Sequence, residues 1–219
     1  MGKYSEAWGY SKLACFKECE KKFFFQFVEK IPSGGSAAMD RGAELHKSCE
    51  AYLNGWDPSL DPALSNWQEP FDELKSKGVI TERAWGFDKD WKLLPNWFGK
   101  DCWLRAKSDA HYLEGATVVV IDFKSGKFKV PPIEQVELYA VCAHSVYPEA
   151  TSVRAEFWFL DHGQVHEVNY TAEHLLLLRD KYTKMVAPMY AAEEFEASPS
   201  RDCGWCNYSK SKGGPCNAG

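Results

Sequence analysis

The chain has 219 residues, 45% of them hydrophobic and 15% aromatic, with 9 Trp and a formal net charge of −5. That length fits one large domain, or one with small appendages, and the apolar content suffices for a core. The acidic balance argues against a generally basic nucleic-acid coat protein, and no apolar run approaches the length of a membrane span.

The charged, aromatic start MGKYSEAWGY does not read as a signal peptide, so a cytoplasmic, reducing setting is expected. The 8 Cys then read as thiols or metal ligands. Tyr10 to Lys30 reads as an amphipathic helix, with Ser11 as its N-cap, Leu13, Phe16, Phe23 and Phe27 on one face, and Ile31-Pro32 ending it. Cys15 and Cys19, four apart, share a face of that helix and read either as core thiols or as ligands. A loop at Pro32-Ser33-Gly34-Gly35-Ser36 precedes a second helix from Ala37 or Ala38 to Leu53, which carries Arg41, Gly42 and His46. Gly42 inside a helix costs about 1 kcal/mol relative to Ala, so it marks a packing contact or a close approach by backbone or substrate.

Gly55 to Pro70 reads as a loop, Phe71 to Lys77 as a helix, Val79 to Trp91 as a strand with Glu82 near its start, and Leu93 to Lys100 as a loop. A β-hairpin follows. Its first strand contains Asp109, its turn is Glu114-Gly115-Ala116, and its second is the apolar run Val118 to Ile121 ending in Asp122-Phe123-Lys124. Residues i and i+2 of a strand share a face, so Asp122 and Lys124 are neighbours and the paired strand can bring Asp109 beside them. Two carboxylates and an ammonium at the end of a buried strand are costly unless a cation or an anionic substrate joins them. The carboxylates suit a hard divalent cation, and the lysine suits water activation or stabilisation of phosphorane charge.

Phe128 to Pro132 breaks the hairpin, and a helix from Pro132 to Val146 carries Gln135 and Tyr139 one turn apart. Ser152 to Leu160 and Gln164 to Tyr170 read as a strand pair turned at Asp161-His162-Gly163. Thr171 then caps a helix through about Met189, whose core stripe is Leu175, Leu178, Tyr182 and Met185. The tail from Ser198 has no apolar periodicity but holds Cys203, Cys206 and Cys216 among glycines, the pattern of a metal knuckle that needs a fourth ligand. Cys19 or Cys15 is the partner available, joining the two ends of the chain.

The set L-x-x-F-x-x-C (Leu13, Phe16, Cys19), R-G-x-x-x-H (Arg41, Gly42, His46), Asp109, D-F-K (Asp122 to Lys124) and Q-x-x-x-Y (Gln135, Tyr139), in this order, resembles the PD-(D/E)XK nuclease superfamily. Within it, the set resembles the RecB-like exonuclease branch specifically. The terminal cysteines resemble the iron–sulfur-stapled members, including CRISPR-adaptation nucleases, and the compact length resembles phage-encoded ones. The resemblance implies an α/β fold, with a mixed central sheet flanked by helices and the N- and C-terminal segments joined by a metal or cluster site. It implies one nuclease domain over residues 1–219, with a Cys-bearing N-terminal segment (1–36), a core (37–195) and a Cys-rich tail (196–219).

By the same resemblance, Asp109, Asp122, Lys124, Gln135 and Tyr139 are catalytic. His46, Asp109, Asp122 and the Phe123 carbonyl hold Mg²⁺ or Mn²⁺, and Glu82 assists at the edge. Cys19, Cys203, Cys206 and Cys216 hold a [4Fe–4S] cluster, and Arg41, Lys127 and Lys129 contact DNA. Two departures, the long gap from Cys206 to Cys216 and Glu20 where a proline is usual, leave Zn²⁺ in place of a cluster and Cys15 in place of Cys19 as alternatives.

The expected function is metal-dependent exonuclease action on single-stranded DNA or duplex ends in replication, recombination or repair. A protein partner from those processes and oligomerisation are compatible with it. A site- or structure-specific endonuclease ranks lower because no separate recognition domain is evident. A nucleic-acid-binding module with a structural metal site would have no reason to retain all of Asp109, Asp122, Lys124 and His46. An oxidoreductase would need a flavin or nicotinamide fingerprint, and none is visible.

Overall fold

The computed structural model of the chain describes residues 2–129 and 132–218. The chain forms two compact units, one of residues 36–180 and one that joins 1–35 with 181–219. The boundary therefore falls inside the last long helix rather than at residue 195.

The larger unit is built on a six-stranded sheet. Its strands are β1 (Ile80–Phe87), β2 (Leu93–Leu94), β3 (Leu104–Glu114), β4 (Thr117–Lys124), β5 (Ser152–Phe159) and β6 (Gln164–Thr171), in the spatial order β2-β1-β3-β4-β5-β6. All neighbours are antiparallel except β4 and β5, which run parallel and are joined by the crossover helix α5 (Ile133–Val146). A parallel pair requires such a crossover, and the expected mixed sheet flanked by helices is present. β4 lies at the centre and is buried over nearly its whole length, as its apolar run requires. The break expected at Phe128 to Pro132 falls partly on Val130 and Pro131, which lie outside the described residues.

Helix α3 (Ala37–Leu53) starts where expected, with the Ser36 hydroxyl accepting the Met39 N–H at 3.3 Å. Its buried residues Leu45, Cys49, Tyr52 and Leu53 meet Ala110, Tyr112, Val119, Ile121 and Phe123 from the sheet. Helix α4 (Gln68–Ser76) begins three residues earlier than the sequence suggests, because the 3₁₀ turn Pro62–Trp67 runs directly into it. Phe71 at its centre is fully buried and packs on Phe123 at 5.4 Å and on Trp158 at 5.7 Å between ring centroids. Trp67 stacks on Trp158 and donates its indole N–H to the Leu160 carbonyl at 2.8 Å. The segment expected as a loop from Leu93 contains the short edge strand β2, paired with Gly86 and Phe87.

In the second unit the first helix is not continuous. Helix α1 (Tyr10–Glu18) is capped by Gly9 rather than Ser11 and stops at Cys19, whose φ of −163° and ψ of 112° are extended. A short helix α2 (Glu20–Phe23) resumes and passes into a π-turn at Phe24–Val28. Leu13, Phe16 and Phe23 are buried as predicted. The break is what local periodicity could not show, since Leu13, Phe16, Phe23 and Phe27 fit the spacing of one continuous helix. The last helix, α6 (Ala172–Ala191), opens with the Thr171 hydroxyl accepting the His174 N–H at 3.3 Å. Its buried stripe is Leu175, Leu178, Tyr182, Val186 and Met189, with Met185 only partly covered.

Phe71→Ala should lower the unfolding free energy by about 3–5 kcal/mol, the cost of a large core cavity. A chemical denaturation curve checks this, and a loss within error of zero would contradict the aromatic packing around β4.

Candidate active site

The site forms where β3 and β4 part while β1 stays paired to β3. The β3–β4 ladder runs from Glu114 opposite Thr117 to Ala110 opposite Ile121 and stops. One step further, the Asp109 carboxylate accepts the Phe123 N–H at 2.7 Å, so a side chain takes the place of the next backbone carbonyl. On the other flank, β1 pairs Thr81 with Ala110 and Arg83 with Ser108, and Glu82 stands between those pairs, opposite Asp109. Glu82 has a φ of 50°, a left-handed geometry that costs a non-glycine residue about 1–3 kcal/mol and persists where surroundings hold it. The Lys107 ammonium holds its carboxylate in an ion pair.

Helix α3 brings His46 over this gap. Its Nδ1 lies 3.4 Å from Asp109 Oδ1, and its ring meets Phe123 edge to face. One ligand atom each from His46, Glu82 and Asp109 lie within 4.8 Å of one another, the only such group of three among the described residues. An imidazole nitrogen with two carboxylates is a donor set that suits Mg²⁺ or Mn²⁺, so the residues fit a divalent cation. Glu82, expected only to assist at the edge, thus contributes one of the three convergent donor atoms that could hold a cation. Its sequence signal was an acidic residue near the start of an otherwise alternating strand, which does not reveal its left-handed backbone.

Asp122 stands beside this group rather than within it. It is 9% exposed, and its Oδ2 lies 2.6 Å from Lys124 Nζ. Burial, offset by Lys124 and reinforced by the Asp109 charge, pushes its carboxyl up to about 6. The Tyr139 hydroxyl also bonds Asp122 and in turn is bonded by Gln135, one turn earlier on α5. Burial and the Asp122 charge hold that phenol well above its ordinary range. At His46, burial by itself would lower the pKa, but the hydrogen bond and charge of Asp109, with Asp122 behind it, raise it above the usual value. A buried carboxyl pushed up and a histidine drawn toward its cationic form mark a site where the acidic charges are only partly offset by Lys107 and Lys124.

The remaining predicted residues are placed as follows. Gly42 approaches the loop after β4 so closely that a Cβ would stand 2.9 Å from Ser125 Oγ, which makes it a packing contact. Arg41 donates to Asp161 at 2.9 Å, and Asp161 also accepts the Gly126 N–H, so Arg41 fastens the loop that follows Lys124. Lys127 and Lys129 are exposed on that loop. The buried Ser108–His111–Tyr147 chain, with contacts of 3.2 and 3.0 Å, is no second catalytic set. Burial and the Arg83 charge push His111 down to about 4, which keeps it neutral beneath the sheet.

In the other unit, Cys19, Cys203, Cys206 and Cys216 line one concavity together with Glu18, Lys22 and Tyr208. The turns around them are tight: the Cys206 N–H donates to the Cys203 carbonyl, and the Cys216 N–H to the Tyr208 carbonyl at 2.8 Å. Cys15 is buried and not part of that lining, although it lies near enough to Cys19 and Cys206 to feel their charge, and burial pushes its thiol up to about 12. Among the described residues no helix is long and apolar enough to cross a membrane.

No curated protein matches the chain. Among solved structures, the "Putative exonuclease" of Eubacterium rectale is similar with a TM-score of 0.54 at 11% identity, covering 91% of this chain and 87% of that one. The protein SSO0001 is similar with a TM-score of 0.48 at 14% identity, covering 100% and 89%. At such identities the first likeness concerns the fold. A family model for the PD-(D/E)XK nuclease superfamily matches residues 7–211. With nearly the whole chain matched, this protein belongs to the PD-(D/E)XK nuclease superfamily and is a nuclease.

Proposed function

We propose that this nuclease is a RecB-like DNA exonuclease, hydrolysing single strands or duplex ends in replication, recombination or repair with Mg²⁺ or Mn²⁺. The observation that carries the reading is the convergence of His46, Glu82 and Asp109 within 4.8 Å, beside an Asp122–Lys124 ion pair of 2.6 Å. When bound, a divalent cation supplies Lewis-acid polarisation of the scissile phosphate and a nucleophilic water at neutral pH. His46, Glu82 and Asp109 would hold it, with Asp122 completing the acidic wall.

Lys124 is the positioned cation. Its ammonium, drawn to Asp122 and lying over the Phe157 ring at 5.4 Å, faces the charge that develops on the phosphorane. Tyr139 and Gln135 orient Asp122, and through it Lys124. Arg41, by gripping Asp161, keeps the Lys127–Lys129 loop beside the site for the DNA backbone. The order of the R-G-x-x-x-H, D, D-F-K and Q-x-x-x-Y motifs supports the RecB-like branch, and the exonuclease named among the structural neighbours supports that mode.

We further propose that Cys19, Cys203, Cys206 and Cys216 hold a [4Fe–4S] cluster as a structural fastening. The four line one concavity, and the terminal C-x-x-C with a third Cys has the pattern of the iron–sulfur-stapled members of the superfamily, whose thiolates bind separate irons at the corners of the cluster. Zn²⁺ on the same four thiolates is the alternative. Cys19 is favoured over Cys15 because the break between α1 and α2 turns it into the concavity, while Cys15 is in the core.

Asp122→Ala and Lys124→Ala should each slow cleavage of end-labelled oligonucleotides by about 100-fold or more, with far-UV circular dichroism unchanged. Full turnover in both variants would refute the site, and cutting of closed circular single-stranded DNA by the wild type would shift the reading to an endonuclease.

Anaerobic purification should give a brown protein with about four irons per chain, and Cys203→Ser should lose both the iron and thermal stability. A colourless protein with one zinc would replace the cluster. An unchanged melting temperature in Cys203→Ser would remove the structural role.

A further inference from the structure

The sheet face that carries Asp109 continues past it along β3. Arg105, Lys107 and Asp109 alternate with the buried Leu104, Ala106 and Ser108, so the three share one open face. Lys107 is exposed and reaches Glu82. Opposite Arg105 on β1 stands Gly86, where a Cβ would come within 2.7 Å of Trp97 Cα. The missing side chain lets the loop between β2 and β3 lie flat on the sheet.

That loop is ordered by its own bonds. The Asn96 side chain accepts the Phe98 N–H at 2.8 Å, and the Cys102 N–H donates to the Gly99 carbonyl at 3.1 Å. Arg105 Nε donates to the Trp97 carbonyl at 2.8 Å, and its guanidinium lies 5.9 Å from the Trp97 ring and 5.4 Å from the Phe98 ring. Trp97 and Phe98 meet edge to face at 5.6 Å. Phe98 is nevertheless 74% exposed. A large aromatic ring so exposed beside a guanidinium contributes little to the core, and the surface left open by Trp97 and Arg105 can take a planar partner.

We propose that Trp97, Phe98 and Arg105 form a base-stacking subsite for a single DNA strand whose scissile phosphate lies at Asp109. Lys107 serves a phosphate between the two points. This inference rests on the nuclease reading above and names where the substrate strand runs. From Asp109 to Arg105 the strand β3 extends ~13 Å, which is about four stacked nucleotides at ~3.4 Å each, and fewer if the DNA is stretched. The occupant is an unpaired strand because a duplex stacks its bases on one another and presents the ring with a terminal pair alone. Charge complementarity points the same way: Arg105 and Lys107 stand on the face that leads to the acidic site.

The test uses the full chain with Lys124→Ala to prevent cleavage, and fluorescence anisotropy with a labelled 12-nucleotide single strand and a blunt duplex of the same sequence. Adding Phe98→Ala should weaken single-strand binding by about tenfold and leave blunt-duplex binding unchanged. Arg105→Lys, which keeps the charge but loses the planar contact, should also weaken the single strand. A 2-aminopurine base placed singly along the strand should be quenched a few nucleotides from the reacting end, and Phe98→Ala should abolish that quench. Equal single-strand affinity with and without Phe98 would overturn the subsite while the metal site stands. An equal loss on both DNAs would overturn its preference for unpaired strands. A parent protein that binds neither DNA would overturn the nuclease reading together with the subsite.

Discussion

The bond from the Phe123 N–H to the Asp109 carboxylate is the interaction on which the site depends. At 2.7 Å it ends the β3–β4 ladder with a side chain where a carbonyl would continue it. A buried amide must have an acceptor, so the carboxylate that satisfies it is fixed in place. The strands open beyond it without leaving a donor orphaned, and the opening is where His46 from α3 and Glu82 from β1 arrive. Asp109 is therefore both the last rung of the ladder and a member of the His46–Glu82–Asp109 group, and its second oxygen is left to face His46 at 3.4 Å.

The charges around that bond are arranged at a cost. Asp122 is buried with its carboxyl pushed up to about 6, and Lys124 at 2.6 Å only partly offsets the burial and the Asp109 charge. Glu82 keeps a left-handed backbone, and Lys107 pairs with its carboxylate. Removing ions from water costs several kcal/mol each, and such groups persist in an acidic cleft where a cation can join them. The same local positive charges, Lys107 and Lys124, then flank the place where a phosphate would sit. Destabilised carboxylates and displaced ammonium groups are two sides of one design for holding a cation and an anion together.

The cysteine-bearing unit follows a different logic. Its tail has short 3₁₀ turns and little apolar surface of its own. Its order comes from backbone bonds at the Cys203–Cys206 turn and from the Tyr208 hydroxyl donating to the Ile31 carbonyl at 2.9 Å. A segment with too few buried contacts to outweigh its chain entropy needs such a fastening.

Much of the sheet was legible in the sequence, because strand alternation, the Glu114–Ala116 turn and the apolar run of β4 are local signals. Asp109, Asp122 and Lys124 stood out as candidates through strand alternation, whereas His46, Gln135 and Tyr139 entered through the resemblance of the whole motif set to the superfamily. What local pattern could not supply was the break of the first helix at Cys19, which separates Cys15 in the core from Cys19 in the concavity. Nor could it supply the left-handed turn at Glu82 that brings a third donor atom to His46 and Asp109, or the close approach of the Trp97–Phe98 loop to Gly86. Periodicity along one chain segment specifies which residues share a face. Which faces meet, and which residue is bent out of its strand to meet them, is decided by packing between segments distant in sequence, and that belongs to the tertiary structure alone.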